Sequence, residues 1–283
     1  MERIQEAIEK ARRERHGRIG SADAPKEASP RKVEPTISVA KEATKNLGTR
    51  PAGSIRVTYS DTRSVDLDEH TMKEKRLVAS FAHDARSEPY RQLRGQVLKM
   101  FRANGWQTLA VTSPNTDSGS TLTAINLAIS LSMETNQTVM LVDLNLGNPG
   151  VAKTFGFGDV EYGIIDYVRG EQSLEDVLVN PGFERLVVAP ARVHSGFTSE
   201  VLSSPEMVKV VNELVDRYPS RIIIFDLPSV LDNDDALVFA PKCDATLMVL
   251  DEGGSKVMDI ERAYKLLEGC NVIGSVLNKV RYQ

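Results

Sequence analysis

Six short runs rich in β-branched and apolar residues, at 109–112, 139–142, 186–189, 221–225, 246–250 and 272–277, alternate with stretches of helical character at 121–134, 163–169, 205–218 and 256–267. No other feature restricts the fold as much. An apolar run bounded by turn residues suits a strand buried on both faces. A helix between two such strands carries the chain back to begin the next one in the same direction. We therefore expect an α/β fold: a doubly wound, mostly parallel sheet over residues 88–283, about 190 residues and a typical single-domain size. Ligands of such sheets lie beyond the carboxyl ends of the strands, so chemistry is sought in the residues just after each run.

After the first run comes Ser113-Pro114-Asn115-Thr116-Asp117-Ser118-Gly119-Ser120-Thr121, opening directly into a helix. Strand, small-residue loop and helix N-terminus form the layout of a phosphate-binding loop, in which backbone N–H groups and the helix dipole cradle an anion. The second run ends in Asp143, and the run at 221–225 ends in Asp226-Leu227-Pro228-Ser229. An aspartate closing each of two strands, with Thr121 at the helix start, makes a candidate magnesium–nucleotide set. On turn chemistry alone each aspartate is equally well read as a strand terminator. Asp234 and Asp235 are either acidic residues near that site or a solvated turn. Asp251 and Glu252 come after the fifth run and add negative charge at the same sheet edge, which disfavours a polyphosphate.

Several motifs occur in a recognisable order: Glu88-Pro-Tyr-Arg91-Gln-Leu-Arg94, Thr121-Leu-Thr-Ala-Ile-Asn126-Leu-Ala, Val139-Met-Leu-Val-Asp143, Glu200-Val-Leu-Ser-Ser204-Pro-Glu-Met, Arg221-Ile-Ile-Ile-Phe-Asp226-Leu-Pro228 and Val276-Leu-Asn278-Lys. Through them the stretch from Glu88 to Lys279 resembles the bacterial tyrosine autokinases of capsule and exopolysaccharide synthesis, the exosortase-associated branch in particular. These are P-loop ATPases related to the MinD/ParA group. The resemblance implies a P-loop NTPase-like fold and binding of ATP and Mg. It implies catalytic or metal-holding roles for Thr121, Asp143 and Asp226, and oligomerisation through Glu88, Arg91 and Arg94.

The departures from that family fall in its catalytic shell. Its loop reads Pro-Gly-Glu-Gly-Lys-Thr, where this chain has Thr116-Asp117-Ser118-Gly119-Ser120-Thr121. Ser120 stands at the lysine that reaches the β/γ-phosphates, and Asp117 at a glycine. Losing the lysine removes a charge-assisted contact made as charge builds on the transferred group. A carboxylate ~4 Å from a phosphate oxygen repels by roughly 4 kcal/mol at an effective dielectric of about 20, if the side chain cannot swing away. Asn145 stands at a second acidic position, Gly147-Asn148 at a basic pair, and Ser229 at a second proline. The family usually ends in a tyrosine cluster, whereas only Tyr282 lies past the last run here, a single possible phosphoacceptor.

Charge is divided along the chain. Residues 1–50 hold 12 Lys/Arg against 8 Asp/Glu, leaving 23 against 31 for the rest. The basic part opens with a candidate short helix over 1–16, with Ile4, Ile8 and Ala11 on one face and Arg12, Arg13 and Arg15 at its end. Such a helix either touches anionic lipid or is a marginal solvated helix. Residues 17–53, with Pro25, Pro30, Pro35 and Pro51, read as a disordered linker. Residues 54–87 form a semi-ordered lead-in beginning with a strand-like alternation of Ile55, Val57 and Tyr59.

Two cysteines, Cys243 and Cys270, exclude a disulfide framework and read as buried small residues. His16, His70, His83 and His194 lack metal-ligand spacing. No apolar run approaches the ~20 residues of a membrane span, and a sequence pI near 5.7 argues against a dedicated nucleic-acid binder.

The resemblance, with the departures from it, implies an exopolysaccharide or capsule biosynthesis protein with impaired ATP chemistry. It would lie in the cytoplasm or peripherally at the inner membrane face. There it would be a regulatory or assembly partner of a membrane polysaccharide co-polymerase, a chain-length regulator or an active paralogue, in a homo- or hetero-oligomer. Two alternatives stay open: an active tyrosine autokinase using a non-standard phosphate-binding residue, and a MinD/ParA-like positioning ATPase.

Overall fold

The computed structural model describes residues 62–218 and 220–280. The expected helix at 1–16, the linker at 17–53, the run at 55–59 and Tyr282 lie outside the described residues. Among the described residues eight strands form one sheet: β1 (Arg63–Ser64), β2 (Thr108–Thr112), β3 (Thr138–Asp143), β4 (Val179–Asn180), β5 (Leu186–Ala189), β6 (Arg221–Asp226), β7 (Ala245–Asp251) and β8 (Val272–Asn278). Their spatial order is β1-β4-β5-β3-β6-β2-β7-β8. Every neighbouring pair is parallel except β4 with β5.

The helices are α1 (Glu69–Glu74), α2 (Glu88–Asn104), α3 (Ser120–Ser132), α4 (Val151–Phe155), α5 (Ile164–Val168), α6 (Leu174–Val177), α7 (Thr198–Ser203), α8 (Pro205–Arg217), α9 (Asp235–Phe239) and α10 (Val257–Leu266). They cover both faces, because successive side chains of each strand point to opposite sides. Val139 and Leu141 of β3, with Ile222 and Ile224 of β6, join α2, α3 and α4 in one core. Met140, Val142, Ile223 and Phe225 join α5, α6, α8, α9 and α10 in the other. All of β2, β3 and β6 is buried, as a doubly covered parallel sheet requires.

The six expected strands are all present, within a residue or so of their expected ends. Two-residue β1 and β4, and helices α4, α6, α7 and α9 of four to six residues, add to the expected elements. The expected helix over 205–218 begins where Ser204 accepts a hydrogen bond from Met207 N–H at 3.1 Å, with Pro205 in the first turn. Its buried stripe is Met207, Val210, Val211 and Leu214.

Helix α3 is buried from Thr123 to Ser132, so its polar residues need partners inside the protein. Asn126 supplies the main link. Its Oδ1 accepts from the N–H groups of Val78 and Ala79, at 2.8 and 3.1 Å, and its Nδ2 donates to the carbonyls of Arg76 and Leu122. One side chain thereby fastens the segment before α2 to the central helix, and Leu77, Val78 and Ala79 are buried there. Asn126→Ala should cost about 3 kcal/mol, since it strands two buried N–H groups and leaves a cavity. Urea denaturation checks this; a loss below about 1 kcal/mol would show that the segment is held by its apolar residues alone.

Candidate phosphate and metal site

Strands β3, β6 and β2 are adjacent in the sheet, so their carboxyl ends bring three segments of the sequence together. Asp143 and Asp226 are register partners on neighbouring strands, and Asp226 is also level with Val111 of β2. Both carboxylates are fully buried. Asp143 accepts from the N–H groups of Asn145, at 3.1 Å, and Val151, at 3.0 Å. Burial nevertheless pushes its pKa up to about 7, against the opposing pull of those N–H groups. Among the described residues neither carboxylate oxygen of Asp226 has a hydrogen-bond partner. Burial first, and then the charge of Asp143, hold its pKa well above the ordinary value. The Thr121 side chain faces it and pulls the other way, without the geometry of a hydrogen bond.

The loop between β2 and α3 is shaped by its own side chains. Ser113 and Ser118 both donate through their hydroxyls to Asn115 O, each at 2.8 Å. Two long-range contacts brace it from the far side of the sheet. Asn115 Nδ2 donates to Asp259 Oδ2 of α10 at 3.1 Å, and Asn278 Nδ2, at the end of β8, donates to Ser118 O at 2.9 Å. Gly119 has φ +84°, and a Cβ there would lie 2.1 Å from Asn278 Nδ2, so glycine is required on both counts. The first hydrogen bond that α3 makes from its N-terminus is Thr123 N–H to Gly119 O, at 3.0 Å. The preceding N–H groups face the loop without an intrahelical acceptor.

The structure thus gathers Asp117, Ser118, Gly119, Ser120, Thr121, Asp143 and Asp226 around the ends of three strands. Asp117 sits at φ +59°, a left-handed conformation that glycine adopts freely, and its side chain is exposed. The repulsion expected from it therefore falls toward the water-screened limit, about 1 kcal/mol at ~4 Å. Asp251 needs a correction as well. It pairs with Lys279 Nζ at 3.0 Å, so its charge is balanced within the chain. Asp235 is not part of a solvated turn. It is buried and accepts from Thr198 Oγ1 at 2.8 Å and Asn233 Nδ2 at 3.2 Å, tying α7 to α9.

Glu88, Arg91 and Arg94 lie apart from this site, on the first turns of α2. Arg91 pairs with Glu88 at 2.7 Å and donates to Ser87 Oγ. Arg94 donates to Ser130 O at 3.0 Å and pairs with Glu134 at 3.3 Å, near the end of α3 farthest from the loop. Cys243 and Cys270 are partly buried against one core, where burial raises both thiol pKa values.

Thr121, Asp143 and Asp226 offer hard oxygen atoms only, and an orphaned buried carboxylate is a strong reason for a cation to bind there. Among the described residues no three His, Cys, Asp or Glu side chains group closely enough to hold a metal by themselves. That fits magnesium, which takes one or two carboxylates and fills its remaining positions with water or phosphate oxygens. The loop fits a phosphate less completely, because α3 contributes N–H groups while Ser120 contributes no charge. Sequence reasoning missed Asn115, Asp259 and the Val151 N–H; their partners are known only from the fold.

No family model matches the chain. Tyrosine-protein kinase CpsD of Streptococcus pneumoniae serotype 4 is 30% identical over 193 residues, covering 67% of this chain and 79% of that protein. Tyrosine-protein kinase YwqD of Bacillus subtilis is 25% identical over 194 residues, 68% of this chain and 80% of its own. Among solved structures, the kinase domain of the Escherichia coli tyrosine kinase ETK superposes with a TM-score of 0.67 over 81% of this chain and 91% of that one, at 23% identity. The septum site-determining protein MinD of Pyrococcus horikoshii, solved with Mg-ADP, superposes at 0.52 over 60% and 69%, at 21% identity. These superpositions establish the P-loop NTPase-like fold.

The buried carboxylate pair predicts a pH trend. Both native pKa values exceed the ordinary unfolded value near 4, so above that pH the native state holds more protons than the unfolded state. Stability without divalent cations should therefore fall as pH rises from about 4, with the contribution of Asp143 lost by about pH 7. Asp226→Asn should flatten this slope and raise stability at pH 8 by about 2 kcal/mol. Melting curves in EDTA at pH 5.5 and 8 test it; an equal or larger gain at pH 5.5 would refute the charge argument.

Proposed function

The chain belongs to the bacterial tyrosine autokinase family of capsule and exopolysaccharide synthesis, and from that premise we propose that it serves polysaccharide assembly as a regulatory or assembly partner with impaired ATP chemistry. Its partner in this reading is a membrane polysaccharide co-polymerase, a chain-length regulator or an active paralogue, which would hold it at the cytoplasmic face of the membrane. The observation that carries the proposal is the contrast within the site. The carboxylates that would hold a cation are both kept and buried, and that of Asp226 has no hydrogen-bond partner among the described residues, while the position that would neutralise the transferred phosphate carries Ser120.

Thr121, Asp143 and Asp226 would hold magnesium, which when bound supplies electrostatic neutralisation of phosphate oxygens. The N–H groups at the start of α3 would orient the phosphate, and the Asn145 and Val151 N–H groups keep Asp143 in place. What this chain's residues lack is a fixed cation where charge develops. An oxyanion donor of that kind is worth roughly 10²–10³ in rate. The expected outcome is weakened ATP binding with slow or absent transfer.

The intact carboxylate pair also favours a second reading, an active autokinase whose missing lysine is replaced by a basic residue from elsewhere. Incubation with magnesium and labelled ATP separates the two. Tight binding, or phosphate on Tyr282, would sink the impaired-site proposal. In the same assay Ser120→Lys with Asp117→Gly should raise ATP affinity at least tenfold; an unchanged affinity would mean that the loop cannot accept the triphosphate even with its charges restored.

Assembly is proposed to run through the first turns of α2. Arg91 and Arg94 help to wall a hollow of about 360 Å³ that is also lined by Ser80, whose hydroxyl has no partner among the described residues. Arg91→Ala with Arg94→Ala should lower the molar mass measured by light scattering. Arg91→Ala alone serves as the control that leaves the Arg94 contacts with α3 intact. An unchanged mass in the double variant would assign the helix to core packing only.

A further inference from the structure

A groove of about 680 Å³ opens beside the carboxylate pair. Its near wall begins at Pro149. The next residue, Gly150, lies against Thr121, where a Cβ would come within 3.2 Å of the Thr121 methyl, and Val151 donates its N–H to Asp143. An occupant of the groove would therefore lie one residue from the site.

Its chemistry is unusual for this chain. The body of the protein is acidic, yet the groove lining holds two cations, Lys153 and Arg192, and no acid. Lys153 has no ion pair or side-chain hydrogen bond among the described residues. Arg192 has only a long contact, 3.7 Å to Asp166. The remaining lining is aliphatic or glycine, including Val193, which is 73% exposed. Gly156 and Gly158 both have φ near +70° and face open space, so backbone is presented along the floor. The rings of Phe155 and Phe157 on either side of Gly156 are buried and stacked, with centroids 5.1 Å apart. That packing fixes the turn in place, and the groove is preformed.

We propose that this groove is a docking site for an acidic, extended segment of a partner polypeptide. The side chains offering polar groups are donors only, which suits carboxylates; neutral sugar hydroxyls also need acceptors. Aliphatic surface between the cations suits the apolar residues that alternate with acidic ones on an extended strand. Docking here gives the assembly role proposed above a surface and rests on that reading for its setting, whereas binding itself requires no ATP chemistry.

The test uses the full chain and a fluorescein-labelled decapeptide alternating glutamate with leucine, read by anisotropy. A lysine-for-glutamate peptide and an oligogalacturonate competitor serve as controls. Lys153→Glu with Arg192→Glu should weaken binding of the acidic peptide about tenfold, as expected for reversing two partly exposed charge partners. Added salt should weaken the wild-type complex, and the lysine peptide should not bind. Both substituted residues are surface groups, so an unchanged melting temperature verifies the fold.

Equal binding by wild type and double variant, or no acidic-peptide binding at all, overturns the proposal. So does displacement by oligogalacturonate at lower concentration than by unlabelled peptide, which would make the groove a polyuronate site. Self-association lost in the double variant would assign the groove to a second copy and equally overturn it. ATP binding measured on the same preparations judges the impaired-site reading separately, because neither substituted residue belongs to that site.

Discussion

Two carboxylates fully buried at register-matched positions on adjacent strands set the terms for this whole edge of the molecule. Burial and mutual repulsion both oppose their ionisation, and among the described residues only Asp143 receives hydrogen bonds. A chain selected for stability alone would not keep Asp226 in this state, because an apolar or amide residue of similar size avoids the desolvation penalty. Retaining it makes sense if a cation satisfies both groups. The sheet order enforces the arrangement: β6 lies between β3 and β2, so two aspartates and the loop reach one point although more than eighty residues separate Asp143 from Asp226.

The loop facing that pair is held by side chains of the protein itself. In a glycine-rich phosphate loop the conformation relies on small residues and on the anion itself. Here two serine hydroxyls, Asn115 and Asn278 hold the backbone, and Asp117 adopts a left-handed turn at the glycine position of the family. The charges differ from the family's while the strand–loop–helix layout is present. A scaffold use of the fold needs only the layout; phosphoryl transfer needs the charges as well. This difference is why overall likeness to kinase domains establishes the fold and leaves the chemistry to be decided at Ser120.

The strand runs were legible because burial on both faces selects β-branched and apolar residues along the whole run, and the first and last residues of β3 and β6 differ little from expectation. The loop and both aspartates were legible because ligands of such sheets lie at strand ends. Short elements were not. A two-residue strand such as β4 and a four- or five-residue helix such as α6 or α9 cannot display a period. Partner identities were hidden for another reason. Asn115 meets Asp259 across 144 positions, and Asn278 meets Ser118 across 160, contacts that depend on β7 and β8 packing beside β2. The balance of Asp251 by Lys279 was within reach of sequence, since both residues flank the same strand pair. Counting acids by position rather than by pairing concealed it.

Helix α4 connects the separate parts. Its first N–H supports Asp143, Gly150 before it lies against Thr121, and Lys153 within it faces the groove. Five residues are too few for a helix to persist by itself. Its position rests on Val151, Ala152 and Phe155 in the core, on Thr154 Oγ1 donating to Gly150 O at 2.8 Å, and on the stacked rings of Phe155 and Phe157. A ligand that shifts this short helix from the groove side necessarily alters the hydrogen bonding of Asp143. A cation bound by the carboxylates would reinforce the helix from the other side. Were both places occupied, they would be coupled through this one element, and such coupling is reciprocal: whatever an occupant of the groove did to cation affinity, the cation would do equally to that occupant.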